Sequence, residues 1–122
     1  MSGETERESL VELADDAYEA IRAINHATIT CPRGLPAPIV YGMLGSLKLG
    51  MGYSLNQALN QLGDNLARSL DHYDVYEDDG REPAESVAIA RDHMLAAAAL
   101  AAQIGEHLAA AQNAIARQGY RD

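Results

Sequence analysis

The chain has 122 residues, 48% of them hydrophobic, with no phenylalanine or tryptophan and a formal net charge of -9. That charge argues against direct contact with nucleic acid, because each phosphate contact needs a Lys or Arg and the basic residues here are scattered. A core without Phe and Trp, and a sequence without period-two β-branched runs, suit helix-on-helix packing rather than a sandwich of sheets.

Thr5 and Glu8 have the spacing of a capping box, and Leu10, Ala14, Ala17, Ile21, Ile24 and Thr28 follow as one stripe at helical spacing. These residues predict a first helix over 5–29, with Glu6, Glu12, Asp15, Asp16, Glu19 and Arg22 forming a solvated acidic face. Pro32, Pro36 and Pro38 then break the helix and make a stiff connection, since proline removes backbone donors and restricts the residue before it.

Residues 39–49 read as a short helix that is apolar nearly all round and is ended by Gly50 and Gly52. Such a helix must be covered on both sides, which makes Tyr41, Leu44, Leu47, Leu49 and Met51 a candidate self-association surface. Gly42 and Gly45 offer either close backbone approach or merely a weakened helix. Ser54 and Gln57 repeat the capping-box spacing and open a third helix, whose apolar positions from Leu55 to Tyr73 continue at helical intervals to about Asp74.

The last helix is predicted over 82–118, with Pro83 in its first turn and Gly119 as its stop. Counted in sevens, Val87, Met94, Ala101, Leu108 and Ile115 lie on one line and Ala90, Ala97, Ile104 and Ala111 on its companion. This is a heptad packing seam, and its alanines allow a partner helix to approach to roughly 8 Å. Leucine at Ala97 is expected to overpack it. A second strip through Ile89, Ala96, Leu100 and Ala110 widens the apolar face.

Together these elements predict an all-α fold, an antiparallel bundle of three long helices plus one short one, forming a single domain over residues 1–122. The acidic amino terminus is no signal peptide, and the apolar run from Met94 to Ala102 is about half of a membrane span. Cys31, the single cysteine, has no internal disulfide partner, which fits a reducing compartment. The expectation is a soluble cytoplasmic protein.

Residues with catalytic or metal-binding chemistry do not assemble into a known pattern. None of the four histidines has the Glu three residues before it that carboxylate-bridged metal pairs use; Ala23, Ser69, Ala90 and Ile104 stand there. His93 and His107 are about 21 Å apart along a straight helix, too far to share an ion. In the acidic loop, an EF-hand frame that puts Gly80 at its glycine position places Val75 first and Ser86 last, where the chemistry needs carboxylates. Glu12 with Asp15 and Glu82 with Glu85 show the local spacing of the paired acidic motifs of all-helical nucleotide pyrophosphohydrolases, but the two pairs are far apart in sequence, whereas that family's motifs lie on neighbouring helices early in the domain. No cofactor and no resident metal is predicted.

Tyr73 and Glu77 have the Tyr-x-x-x-Glu spacing found after the helical hairpin of small type VII secretion substrates, which the chain resembles at these residues while lacking that family's Trp-x-Gly turn. The stretches Ala23-Ile24-Asn25-His26-Ala27-Thr28, Leu44-Gly45-Ser46-Leu47 and Gln57-Ala58-Leu59-Asn60-Gln61-Leu62 resemble small uncharacterised alanine-rich helical proteins of actinobacteria, some encoded near plasmid-transfer genes. That resemblance implies a context and no catalytic motif. The expected function is a non-enzymatic protein-interaction or scaffold protein that self-associates as a homodimer. A small metal-dependent nucleotide hydrolase and a bundle that binds an apolar ligand are the alternatives.

Overall fold

The computed structural model describes residues 3–121, and every regular element among them is helical. The elements are α1 (Gly3–Thr28), α2 (Ala37–Leu47), a π-helical segment (Lys48–Ser54), α3 (Leu55–His72) and α4 (Pro83–Ile115). Contacts group the chain into two compact units, Met1–Leu35 and Pro36–Asp122, divided within the proline-rich stretch that the sequence reads as a stiff connection inside one domain.

The first unit is α1 and the turn after it. The helix already includes Gly3, so Thr5 lies inside it and not at a cap. Ile21 and Ile24 are half-buried, whereas Leu10, Val11, Leu13 and Tyr18 are exposed. Arg22 pairs with Glu19 at 3.3 Å, and the Thr28 hydroxyl donates to the Ile24 carbonyl at 2.8 Å, a bond that competes with continued helix. Gly34 takes φ +72 and closes the turn by donating its N–H to the Cys31 carbonyl.

The second unit is a helical hairpin. Extended backbone at Pro36 and a proline in the first turn start α2, as proline's fixed φ and missing donor favour. The helix does not end at Gly50 and Gly52. It widens into the π segment, where Leu55 donates its N–H to the Gly50 carbonyl, five residues back, and then continues as α3. Ser54 has helical backbone angles and makes no capping bond, so the capping-box reading of Ser54 and Gln57 fails. Residues 37–72 are therefore one long arm, and α4 is the other. The expected separate short helix is the first third of an arm.

The glycines are tolerated here because of what they face. A Cβ on Gly52 would lie 2.6 Å from Gly105 Cα, so the two backbones touch at this level. Burial against the other arm offsets the roughly 1 kcal/mol that glycine costs inside a helix. Gly45 lies against Gln112, Asn56 donates to the Ala98 carbonyl at 2.7 Å, and Gly63 lies against Met94. As residue numbers rise along one arm they fall along the other, so the arms run antiparallel. The turn between them is closed by Gly80 at φ +80, whose N–H donates to the Glu77 carbonyl. Glu82 provides the extended residue before Pro83, and α4 ends at Ile115, before Gly119.

Candidate interaction surface

The residues buried between the arms are small. Ala98 and Ala101 are 1% and 2% exposed, Gly52, Gly63 and Gly105 are buried, and Gln112 is the one buried polar residue among the described residues. Of the predicted seam, Ala101 is buried, and Val87, Ala90, Met94, Ala97, Leu108 and Ile115 are half-buried. Ile104 and Ala111 are exposed instead. A straight helix has 3.6 residues per turn, so a strict seven-residue count drifts by about 20° per heptad. The line that starts through Val87 and Met94 passes to Ala98, Gly105 and Gln112 further along. Gly45 and Gly52 on the first arm, and Ala98, Gly105 and Gln112 on the second, are each spaced by seven, a signal that a search for large side chains passes over.

The large side chains lie to one side of this seam. At about 100° per residue within α3, Leu55, Ala58 and Leu62 fall on the same flank of the first arm. Ile89, Leu100, Ile104 and Ala111 fall on the matching flank of α4. Because the arms are antiparallel, these flanks turn to the same side and make one largely apolar face, in which exposed His93 and His107 stand among the α4 residues. Leu62, Ile89 and Leu100 are 57–60% exposed there, and Ile104 is 45% exposed. The opposite side carries Asp64, Arg68, Asp92, Gln103, Glu106 and Arg117, and Arg91 reaches across it to Asp64 at 2.7 Å. The hairpin is thus amphipathic as a two-helix layer.

Among the predicted surface residues, Leu44, Leu47 and Met51 are half-buried. Leu49 in the π segment is 59% exposed, and Tyr41, 41% exposed, stands at the open end. There the Gln112 amide donates to the Tyr41 carbonyl at 2.9 Å and accepts from Lys48 Nζ at 2.9 Å. Gly45 makes room for this bridge, since a Cβ on it would lie 2.9 Å from Gln112 Nε2. A buried amide whose donor and acceptor are both engaged fixes the register of the two arms at this end.

The residues considered for chemistry belong to both units. Glu12 and Asp15 belong to the first unit, whereas Glu82 and Glu85 begin α4. Among the described residues no group of three or more His, Cys, Asp or Glu side chains is placed to hold a metal ion. In the turn, Glu77 accepts from the Ser86 hydroxyl at 3.0 Å and Asp79 pairs with Arg81 at 2.7 Å, so these carboxylates are engaged within the loop. Tyr73 caps α3, which puts the Tyr-x-x-x-Glu spacing between the two arms rather than after them. The α4 helix is long and apolar enough to cross a membrane by length and composition. Comparison of the chain with family models, with curated proteins and with solved structures finds no match.

Proposed function

We propose that this protein is a non-enzymatic interaction protein, and that residues 36–122 associate with a second copy through the apolar face of the hairpin, completing an antiparallel helical bundle. One observation carries the reading: the arms bury glycine, alanine and Gln112 between them and leave Leu62, Ile89, Leu100 and Ile104 in solvent on a single side. A largely apolar face of this kind, with His93 and His107 in it, is what an interface presents, and a second identical face is a self-complementary cover for it. Two hairpins laid face to face make four helices around a core of Leu, Ile, Met and Ala.

A bilayer is a poorer cover than a protein. A hairpin crossing a membrane would also carry Asp92, Glu106 and the Arg91–Asp64 pair into lipid, at roughly 2.5–3.5 kcal/mol for a charged residue near the centre. A hairpin lying flat on an anionic membrane would be repelled, because the chain has a formal net charge of -9. A soluble, cytoplasmic protein therefore fits the amphipathic layer best.

Sedimentation equilibrium of the full chain tests the proposal. The wild type should have the mass of a dimer at micromolar concentration, and Leu100→Glu, which places a charge in the middle of the face, should sediment as a monomer with unchanged helical circular dichroism. A wild type that stays monomeric as its concentration is raised would overturn the reading.

A further inference from the structure

Two histidines interrupt the apolar flank of α4. His93 and His107 each stand seven residues from Leu100, on the flank that carries Ile89, Leu100, Ile104 and Ala111, and both are exposed. No Asp or Glu stands one helical turn from either: Ile89, Ala90, Ala96 and Ala97 surround His93, and Gln103, Ile104, Ala110 and Ala111 surround His107. Elsewhere on α4, Arg91, Asp92 and Glu106 lie at least about 100° away around the helix, and Glu85 lies about 12 Å before His93 along it. Of the titratable groups on α3, Asp64, Arg68 and Asp71 belong to the opposite flank, where Asp64 holds Arg91, and His72 ends the helix. The π segment brings Lys48, bonded to Gln112, and Tyr53, whose ring lies beside Gly105, and α2 brings Tyr41. None of these three is an anion at neutral pH.

We infer that His93 and His107 make self-association acid-sensitive: two hairpins pair while these imidazoles are neutral and separate when they take up protons. This rests on the self-association proposed above and adds its regulation. Each histidine lies only about 10 Å along the helix from Leu100, so a second face laid over Leu62, Leu100 and Ile104 covers both, whichever way round the second copy lies. A neutral imidazole fits such a contact, whereas an imidazolium there is an unpaired charge taken out of water. The identical face opposite brings histidines of its own and no carboxylate to offset it. Histidine ordinarily takes up its proton near about pH 6.5, well above the carboxylates. Association that excludes the protonated form is therefore fully present above that pH and lost as the pH falls through it. The direction is diagnostic, because acidification also lowers the chain's net charge of -9 in magnitude, which by itself would weaken repulsion between copies and tighten the pair.

Sedimentation equilibrium of the full chain at about pH 7.5 and about pH 5.5 tests this. One unit below the ordinary histidine value, each covered imidazole weakens the pair by up to about tenfold, so the dissociation constant should rise at least about tenfold with helical circular dichroism unchanged. A smaller rise, or a tightening, overturns the acid sensitivity and leaves self-association standing. A wild type that stays monomeric at the higher pH as its concentration is raised removes both readings. Loss of helix in step with loss of mass makes the effect acid unfolding and also overturns the inference. Assignment to the two side chains is read from the ratio of the two constants, whatever the affinity at the higher pH. His93→Gln with His107→Gln should bring that ratio below about threefold, each single variant should fall between, and His26→Gln with His72→Gln should keep the wild-type ratio. A ratio that survives the first pair of substitutions, or is lost with the second, shows that other groups carry the pH dependence.

Discussion

Gly52 and Gly105 meet across the hairpin with no side chain between them: a Cβ on Gly52 would lie 2.6 Å from Gly105 Cα and 2.9 Å from its nitrogen. The atoms it would strike are backbone and cannot swing aside. Gly52→Ala should therefore destabilise the protein despite alanine's better helix propensity, by about 1–3 kcal/mol, as overpacking a close contact does. Chemical denaturation followed by circular dichroism measures this, and a stabilised Gly52→Ala would mean that the arms are not in contact there.

Gly105→Ala should cost less than Gly52→Ala. Its Cβ would meet the Tyr53 ring, 2.7 Å from Cε1, and that ring is 44% exposed and free to turn toward solvent. Gly42→Ala is the control: nothing lies within 4 Å of its Cβ, so it should stabilise α2 by about 0.5–1 kcal/mol. The predicted order of midpoints is Gly42→Ala above wild type, then Gly105→Ala, then Gly52→Ala. An inverted order of the two seam variants would count against the assigned contacts.

The Gln112 bridge should be worth a measurable coupling. Replacing Gln112 by Leu keeps its bulk but removes both the bond to the Tyr41 carbonyl and the bond from Lys48. The expected loss is about 1–2 kcal/mol, the worth of two hydrogen bonds at a part-buried site. A double-mutant cycle with Lys48→Met should assign about 1 kcal/mol to the Lys48–Gln112 pair, whose lysine is only half-buried. A coupling near zero would show that the bridge does not hold the open end together.

Arg91 should tolerate loss of its charge. Its guanidinium reaches Asp64 at 2.7 Å, but the two side chains are 41% and 49% exposed, so the pair is screened and contributes no more than about 1 kcal/mol. Its Nε is buried without a partner, which works against the pair, and its stem packs against Gly63. Arg91→Met keeps that packing and removes the orphaned donor, so stability should stay within about 0.5 kcal/mol of wild type. Thermal melts at low and high salt would check it; a large loss that disappears in high salt would show the ion pair to be stronger than its exposure allows.

Leucine at Ala98 should be far more harmful than leucine at Ala97. Ala98 is 1% exposed and gives its carbonyl to Asn56, whereas Ala97 is half-buried at the edge of the apolar face. Ala98→Leu should lose about 1–3 kcal/mol and Ala97→Leu under about 1 kcal/mol. Equal losses would restore the strict heptad line through Ala97.

The helical character of the protein was legible in the sequence because it depends on local terms: the spacing of apolar residues, prolines at 36, 38 and 83 that admit only the first turn of a helix, and the absence of β-branched alternation. Tertiary contact decided three other things. Gly50 and Gly52 look like a helix stop, since locally glycine disfavours the helix; the opposite backbone at Gly105 reverses that, and no local term contains it. Ala97 and Ala98 are indistinguishable in a run of alanines, and the partner arm, following 3.6 rather than 3.5 residues per turn, selects Ala98 for burial. Gln112 belongs to no stripe or motif in the sequence, yet it is 7% exposed because Gly45, far away in the chain, leaves the space its amide fills. Each of these depends on which residue a helix meets, and that is set by the register of two antiparallel arms rather than by the composition of either.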